Sequence, residues 1–404
     1  MSRTRSTFVA LIAVLAGLAI AACERSLPPE VTAPTAPRFL ATTEATSPCI
    51  WAEQVQGVAE SGALYAMFLP DRWNGRLVIF IHGLVDPARP LALPTLGAAA
   101  DTLRAHCSAL AYSGFSENGW AVKDGAQRTH ELSELFAARF GEPSHTYLYG
   151  QSMGGLIAVE LAEAYPTQYA GVLSECGILG GSFARFRYMF DVRLLFDFFY
   201  PGVLPGSVLG VPEGINLVDS IRLPARAAMA ARPEGAHNIS AIVQTPVPFS
   251  SDAELVMSIE DQLFRHAREV NDIIARGHGE PPVGNRDIEY AGALYPELLR
   301  AINDSVPRFD VGRYAAHYAS LYYEPNGELA VPVLTLFTTR DPALPAVMNE
   351  LVYRERVATA GRSDFLRRQQ SSVAYGHCTS RLADRVAAFN NLVNWVEPAE
   401  LVEP

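Results

Sequence analysis

An apolar run, His145–Tyr149, leads without a gap into Gly150-Gln151-Ser152-Met153-Gly154-Gly155, and a helical pattern, Gly155–Tyr165, continues from there to Pro166. A strand that turns into a helix within so few residues brings two backbones close together, which small flanking residues permit. A second apolar run, Tyr169–Ser174, follows the helix, so the chain returns alongside the first strand. Strand, helix and parallel strand form a unit with the helix on one face of a sheet. The turn leaves one hydroxyl, that of Ser152, projecting above the sheet edge at a helix N-terminus.

The same alternation extends along most of the chain. Arg76–Ile81, Ser108–Tyr112 and Val333–Phe337 have the continuous apolar character of strands buried on both faces, while Ala98–His106, Lys123–Phe140 and Arg381–Trp395 have helical spacing. Ahead of them, Glu53–Ala59 and Ala63–Leu69 alternate apolar and polar residues around Ser61-Gly62, as a hairpin would. The expected class is α/β, a mostly parallel central sheet with helices on both faces, made mixed by the hairpin. Between Ser174 and Val333 the alternation stops in favour of helical patterns such as Asp252–Arg276, broken by Pro-rich loops such as Pro281-Pro282. A structureless loop of that length is improbable. We assign residues 178–329 to an inserted, mainly helical cap and residues 49–177 and 330–404 to the core.

A serine nucleophile needs a base to take its proton and an acid to orient that base, and after a turn of this kind the acid precedes the histidine in the chain. Of nine histidines, only His377, in Tyr375-Gly376-His377-Cys378, lies beyond the last recognised strand. Asp341 follows Val333–Phe337 directly and is the expected acid; Glu175, at the end of the preceding strand, is the alternative. Asp364 and Asp384 read as solvated helix residues. An oxyanion needs fixed donors, for which the backbone N–H groups of Met153 and of Leu84, in His82-Gly83-Leu84-Val85, are the candidates.

Other chemistries are excluded. Acids outnumber bases 43 to 32, a net charge of −11, so no sequence-wide basic field exists for nucleic acid. The single lysine, Lys123, precedes Asp124 rather than Ser or Thr, which removes a phosphate-binding loop.

Ile81-His82-Gly83, the Gly150–Gly155 turn, Thr338-Thr339-Arg340-Asp341-Pro342 and Tyr375-Gly376-His377-Cys378, in that order, resemble the α/β-hydrolase superfamily over about residues 53–177 and 330–396. The resemblance implies the α/β-hydrolase fold, the cap being its variable insertion, and a serine hydrolase that forms an acyl-enzyme on Ser152 with Asp341 and His377. It implies a small-molecule or polymer-derived ester as substrate, and no cofactor or metal. Peptidases, amidases and C–C hydrolases of this fold share the triad and form the alternative class. A non-catalytic surface binding lipoprotein is a third class, which the intact triad disfavours. Tannase and feruloyl-esterase relatives also set a Cys beside the catalytic His, as Cys378 is here, but place its partner where this chain has Gln151.

An aromatic-rich run from Phe183 to Tyr200 reads as helix core, with a roof over an apolar acyl pocket as the functional option. That option favours apolar or aromatic esters. Arg185 and Arg187, within the same run, read as a solvated face.

At the start of the chain, Arg3 and Arg5 precede an uncharged run, Phe8–Ala22, that is shorter than a membrane-spanning helix and ends at Cys23. Residues 1–22 read as a signal peptide, Cys23 as a lipidated residue that anchors the protein to a bacterial membrane, and residues 23–48 as a Pro/Thr/Ala-rich tether. Export to the cell envelope, with the outer membrane favoured by Glu24 after the Cys, is the expected localisation. The remaining cysteines, Cys49, Cys107, Cys176 and Cys378, match no zinc spacing and allow three disulfide pairings. Their places along the strands favour Cys49–Cys107 and Cys176–Cys378.

Overall fold

The computed structural model describes residues 48–398; the signal-peptide segment, Cys23 and the tether up to residue 47 lie outside the described residues. Eight strands form one sheet: β1 (Trp51–Val58), β2 (Leu64–Pro70), β3 (Arg76–Ile81), β4 (Ala109–Ser113), β5 (His145–Gln151), β6 (Gly171–Glu175), β7 (Val333–Phe337) and β8 (Leu366–Gln370). Their spatial order is β1-β2-β4-β3-β5-β6-β7-β8. The hairpin β1–β2 and the β2–β4 pair are antiparallel, and every later pair is parallel. With this order and its helical crossovers the chain has the α/β-hydrolase fold.

Alternation within the strands sorts their side chains onto two faces. Val78 and Phe80 of β3 join Tyr147, Tyr149, Leu173, Leu334 and Leu336 beneath α1 (Ala98–Ala105) and α11 (Leu382–Val396). Leu77, Ile79 and Ile81 point the other way, toward α2 (Val122–Phe140) and α3 (Met153–Ala164). Strand β8, Leu-Arg-Arg-Gln-Gln, left no trace in the hydrophobic pattern, because an edge strand with one apolar residue needs none to hold its ladder with β7. Asp364, expected in a helix, sits in a single turn, Ser363–Phe365, at the entry to β8.

The insert between β6 and β7 holds α4 (Ser182–Phe199), α5 (Leu223–Ala231), α6 (Pro233–Ile242), α7 (Asp252–Arg276), α8 (Pro296–Ser305) and α9 (Arg313–Tyr322); α10 (Glu350–Thr359) then crosses from β7 to β8. The insert shares one continuous hydrophobic core with the α2–α3 face of the sheet. Among the described residues, no helix is long and apolar enough to cross a membrane.

Candidate active site

Ser152 caps α3 with φ 55° and ψ −118°, a sparsely populated conformation for a residue with a side chain. The strain is sustained by close packing of the turn. A Cβ on Gly154 would strike the carbonyl oxygens of Ile81 and His82, and one on Gly155 would come within 2.6 Å of the Gly177 Cα. Only glycine lets α3 sit this close to the ends of β3 and β6.

The Ser152 Oγ lies 2.8 Å from Nε2 of His377, and Nδ1 of His377 lies 2.8 Å from Oδ2 of Asp341. The other oxygen of Asp341 accepts the backbone N–H groups of Ala343 and Leu344 at 2.8 and 3.1 Å, which fixes the carboxylate in the turn after β7. The loops that carry Asp341 and His377 are joined to each other. Arg340 N–H donates to the Ala374 carbonyl, Gly376 N–H to the Arg340 carbonyl, and the Thr338 hydroxyl to the Gly376 carbonyl. Geometrically, a proton leaving Ser152 has an acceptor in line, and that acceptor has an anion behind it.

Glu175, the alternative acid, is fully buried beside this array and contacts neither ring nitrogen of His377. Its carboxylate accepts from Tyr149 Oη at 2.6 Å, Gln151 Nε2 at 2.7 Å and Arg385 Nε at 2.9 Å. Arg385 also donates to the Cys378 carbonyl at 3.2 Å, so Glu175 braces the histidine loop from below. Cys176 and Cys378 are disulfide-bonded with Cα atoms 5.3 Å apart, as are Cys49 and Cys107 at 5.4 Å. Cys176, Cys378 and His377 place three metal-ligand atoms close together, but the two sulfurs are bonded to each other and offer no thiolate.

Met153 opens α3, where the first N–H groups have no intrahelical acceptor. The loop bearing Leu84 lies against the serine, since a Cβ on Gly83 would stand 3.1 Å from the Ser152 Cβ. His82 holds that loop. Its Nδ1 is 2.7 Å from the Gly83 carbonyl and its ring stacks on Phe115 with centroids 4.0 Å apart. Burial pushes the His82 pKa down, so the neutral ring donates through Nδ1.

A cavity of about 260 Å³ opens at Ser152, lined among others by Leu84, Trp120, Arg185, Arg265, Arg268 and His377. In the insert, the core reading of the aromatic run holds against its option as a roof, and the solvated reading of Arg185 is corrected. The rings of α4 do not roof this cavity. Phe186, Tyr188, Phe190 and Phe196 are buried in the core, and Arg185, placed on a solvated face by its charge, is 3% exposed and faces the cavity. The roof is α7. Its Glu254 accepts both ends of the Arg340 fork at 2.9 and 3.1 Å, and its Ser258 hydroxyl meets Tyr375 Oη at 3.1 Å. Gln262 donates to the Pro342 carbonyl at 2.5 Å, while Asp272 accepts the Trp120 N–H at 2.6 Å. One stripe of α7 therefore spans the acid loop, the histidine loop and the far wall. Sequence reading missed it, although polar residues at 254, 258, 261, 262, 265, 268, 269 and 272 recur with a helical period.

Residues 81–233 match the family model described as "Putative esterase". A curated protein of Nocardia uniformis subsp. tsuyamanensis, described as "Putative esterase NocK", is 28% identical over 214 residues, which cover 46% of this chain and 60% of that relative. The chain thus spans less than two thirds of the relative's length. Among solved structures, an esterase of Pyrococcus furiosus aligns at 10% identity and TM-score 0.43, covering 91% of this chain and 97% of its own. Feruloyl esterase B of Aspergillus oryzae aligns at 14% identity and TM-score 0.46, covering 85% and 79%.

Proposed function

We propose that this protein is a serine hydrolase that cleaves carboxylic esters through an acyl-enzyme on Ser152. The observation that carries the reading is the continuous hydrogen-bonded series Ser152–His377–Asp341 at the floor of a cavity. The similarity of residues 81–233 to an esterase family supports the ester over other acyl bonds. Ser152 Oγ attacks the carbonyl carbon while His377 Nε2 takes its proton, and the resulting oxyanion is held by the N–H groups of Met153 and Leu84. The tetrahedral centre collapses, and His377 returns the proton to the departing alkoxide. Water then attacks the acyl-enzyme, giving its proton to His377, and the acid leaves as Ser152 regains the proton. Asp341 keeps Nδ1 protonated throughout, so that Nε2 faces the serine as a base.

The test is turnover of short 4-nitrophenyl esters by the purified protein. Ser152→Ala should lower kcat by on the order of 10⁴–10⁶ without lowering Tm. Wild-type rates in that variant would remove the serine mechanism. The lipid anchor is a separate proposal resting on Ala21-Ala22-Cys23: Cys23→Ser should move the protein from the membrane pellet to the soluble fraction, and recovery of wild type as soluble protein would reject it.

A further inference from the structure

Three guanidinium groups, those of Arg185, Arg265 and Arg268, line the cavity at Ser152. Two carboxylates answer them. Glu269 accepts from Arg185 at 3.3 Å and from Arg268 at 2.5 Å, and Asp261 accepts from Arg265 at 2.6 Å. Asp341, the other acid nearby, is committed to His377 and to two backbone N–H groups. With Asp341 counted, the wall holds as many carboxylates as guanidiniums, and what it holds in excess is hydrogen-bond donors.

The hydrogen bonds do not balance. Each guanidinium carries five donors in a planar fork. Arg185 uses two of its nitrogens, on Gln262 and Glu269, and the Nε of Arg268 is buried with no acceptor. A purely structural network gains nothing by burying a guanidinium N–H without an acceptor, because a buried unpaired donor is costly to desolvate. Beside a reacting serine, unspent guanidinium donors are what a site built to receive a carboxylate requires. A planar fork suits a planar carboxylate; a phosphate monoester would bring nearly two charges and a tetrahedral group. The cavity, at about 260 Å³, lies just below the ~300–1,000 Å³ typical of pockets for drug-sized ligands, so the substrate is small.

We propose that the ester cleaved at Ser152 carries a carboxylate on the arm that reaches α7, where Arg265 and Arg268 hold it. This rests on the serine ester hydrolase reading. It replaces the apolar or aromatic substrate with an anionic one.

The experiment compares matched esters on the full-length protein, each corrected for its rate with Ser152→Ala protein. On the acyl arm, 4-nitrophenyl hydrogen glutarate is set against 4-nitrophenyl valerate; on the alcohol arm, 4-carboxyphenyl butyrate against 4-carbamoylphenyl butyrate. On one arm wild type should favour the carboxylate by about tenfold to a hundredfold in kcat/KM, and Arg268→Gln should lower that ratio about tenfold. Free glutarate should inhibit wild type competitively where valerate does not, a measurement that stands even if the variant fails to fold. Turnover of the neutral esters with no preference on either arm overturns this proposal and leaves the esterase reading intact. Absence of turnover on all four esters overturns both.

Discussion

Two carboxylates stand at neighbouring strand ends, Glu175 closing β6 and Asp341 following β7, both nearly inaccessible to solvent at 0% and 3% exposure. Burial does not tell them apart; their partners do. Asp341 meets an imidazole and two backbone N–H groups, whereas Glu175 meets a phenol, an amide and the Arg385 guanidinium. An acid whose cation can give up its proton serves chemistry, and one neutralised by a permanent cation serves architecture. The sequence left both open because each follows an apolar strand at the same end of the sheet, and only the third dimension brings Arg385 to one of them.

The sharpest way to break this distinction is to remove each charge in turn. Asp341→Asn should lower kcat by on the order of 10³–10⁴, since the amide favours the wrong imidazole tautomer, with little change in Tm. Glu175→Gln should do the reverse, lowering kcat less than about tenfold while costing on the order of 1–3 kcal/mol of stability as Arg385 loses its counter-charge. Kinetics and thermal melts on the same two preparations decide it. If Glu175→Gln proves the more damaging to kcat, the catalytic acid moves to β6.

A smaller effect is expected from the covalent tie between the two strand ends. The Cys176–Cys378 bond joins the residue after Glu175 to the residue after His377. Reduction, or the paired change Cys176→Ser with Cys378→Ser, frees the histidine loop but leaves its hydrogen bonds to Arg340, Thr338 and Arg385. Activity should fall about tenfold at a temperature where circular dichroism still reports a folded protein, because an imidazole misplaced by a fraction of an ångström transfers protons poorly. Loss of activity only together with loss of structure would show that packing, and not the bond, positions the ring.

The contrast between α4 and α7 explains where sequence reading reaches and where it stops. The sheet was legible because its strands are short apolar runs: Arg76–Ile81 and Val333–Phe337 coincide with β3 and β7. The turn around Ser152 was legible because its steric demands restrict the residues that can form it. Ser152 and Asp341, chosen by chain order, are each hydrogen-bonded to His377, one on either ring nitrogen. In the insert the same logic reached only half of the answer. Aromatic α4 reads as core and packs there, while α7, read only as a helix of the cap, covers the cavity with its charged face. Hydrophobicity predicts burial against apolar neighbours but carries no information on charged groups buried against each other, since their pairing depends on contacts such as Arg185–Glu269, between residues far apart in the chain.

A third buried acid supplies the control for this comparison. Asp191 of α4 is 1% exposed, accepts the Tyr290 hydroxyl on one oxygen at 3.0 Å and has its other oxygen buried without a partner. It receives no hydrogen bond from a cation, and burial pushes its pKa from 3.8 up to about 6, against the weaker pull of Arg187 and Tyr290. A carboxyl that holds its proton more tightly when folded stabilises the native state at low pH. That contribution is lost as pH rises from the unfolded value near 3.8 through about 6, and it stays lost above. Asp191→Asn does not titrate and offers a donor where the second oxygen was stranded. The variant should therefore match wild type in Tm near pH 4 and exceed it at pH 7–8, by an amount equivalent to about 1–3 kcal/mol. Its kcat/KM should stay within about twofold of wild type, as expected for a change remote from the cavity. A Tm difference that does not grow between pH 4 and pH 7 would mean that Asp191 is neutralised by Arg187 after all, making it a counterpart of Glu175 rather than a carboxyl left to keep its own proton.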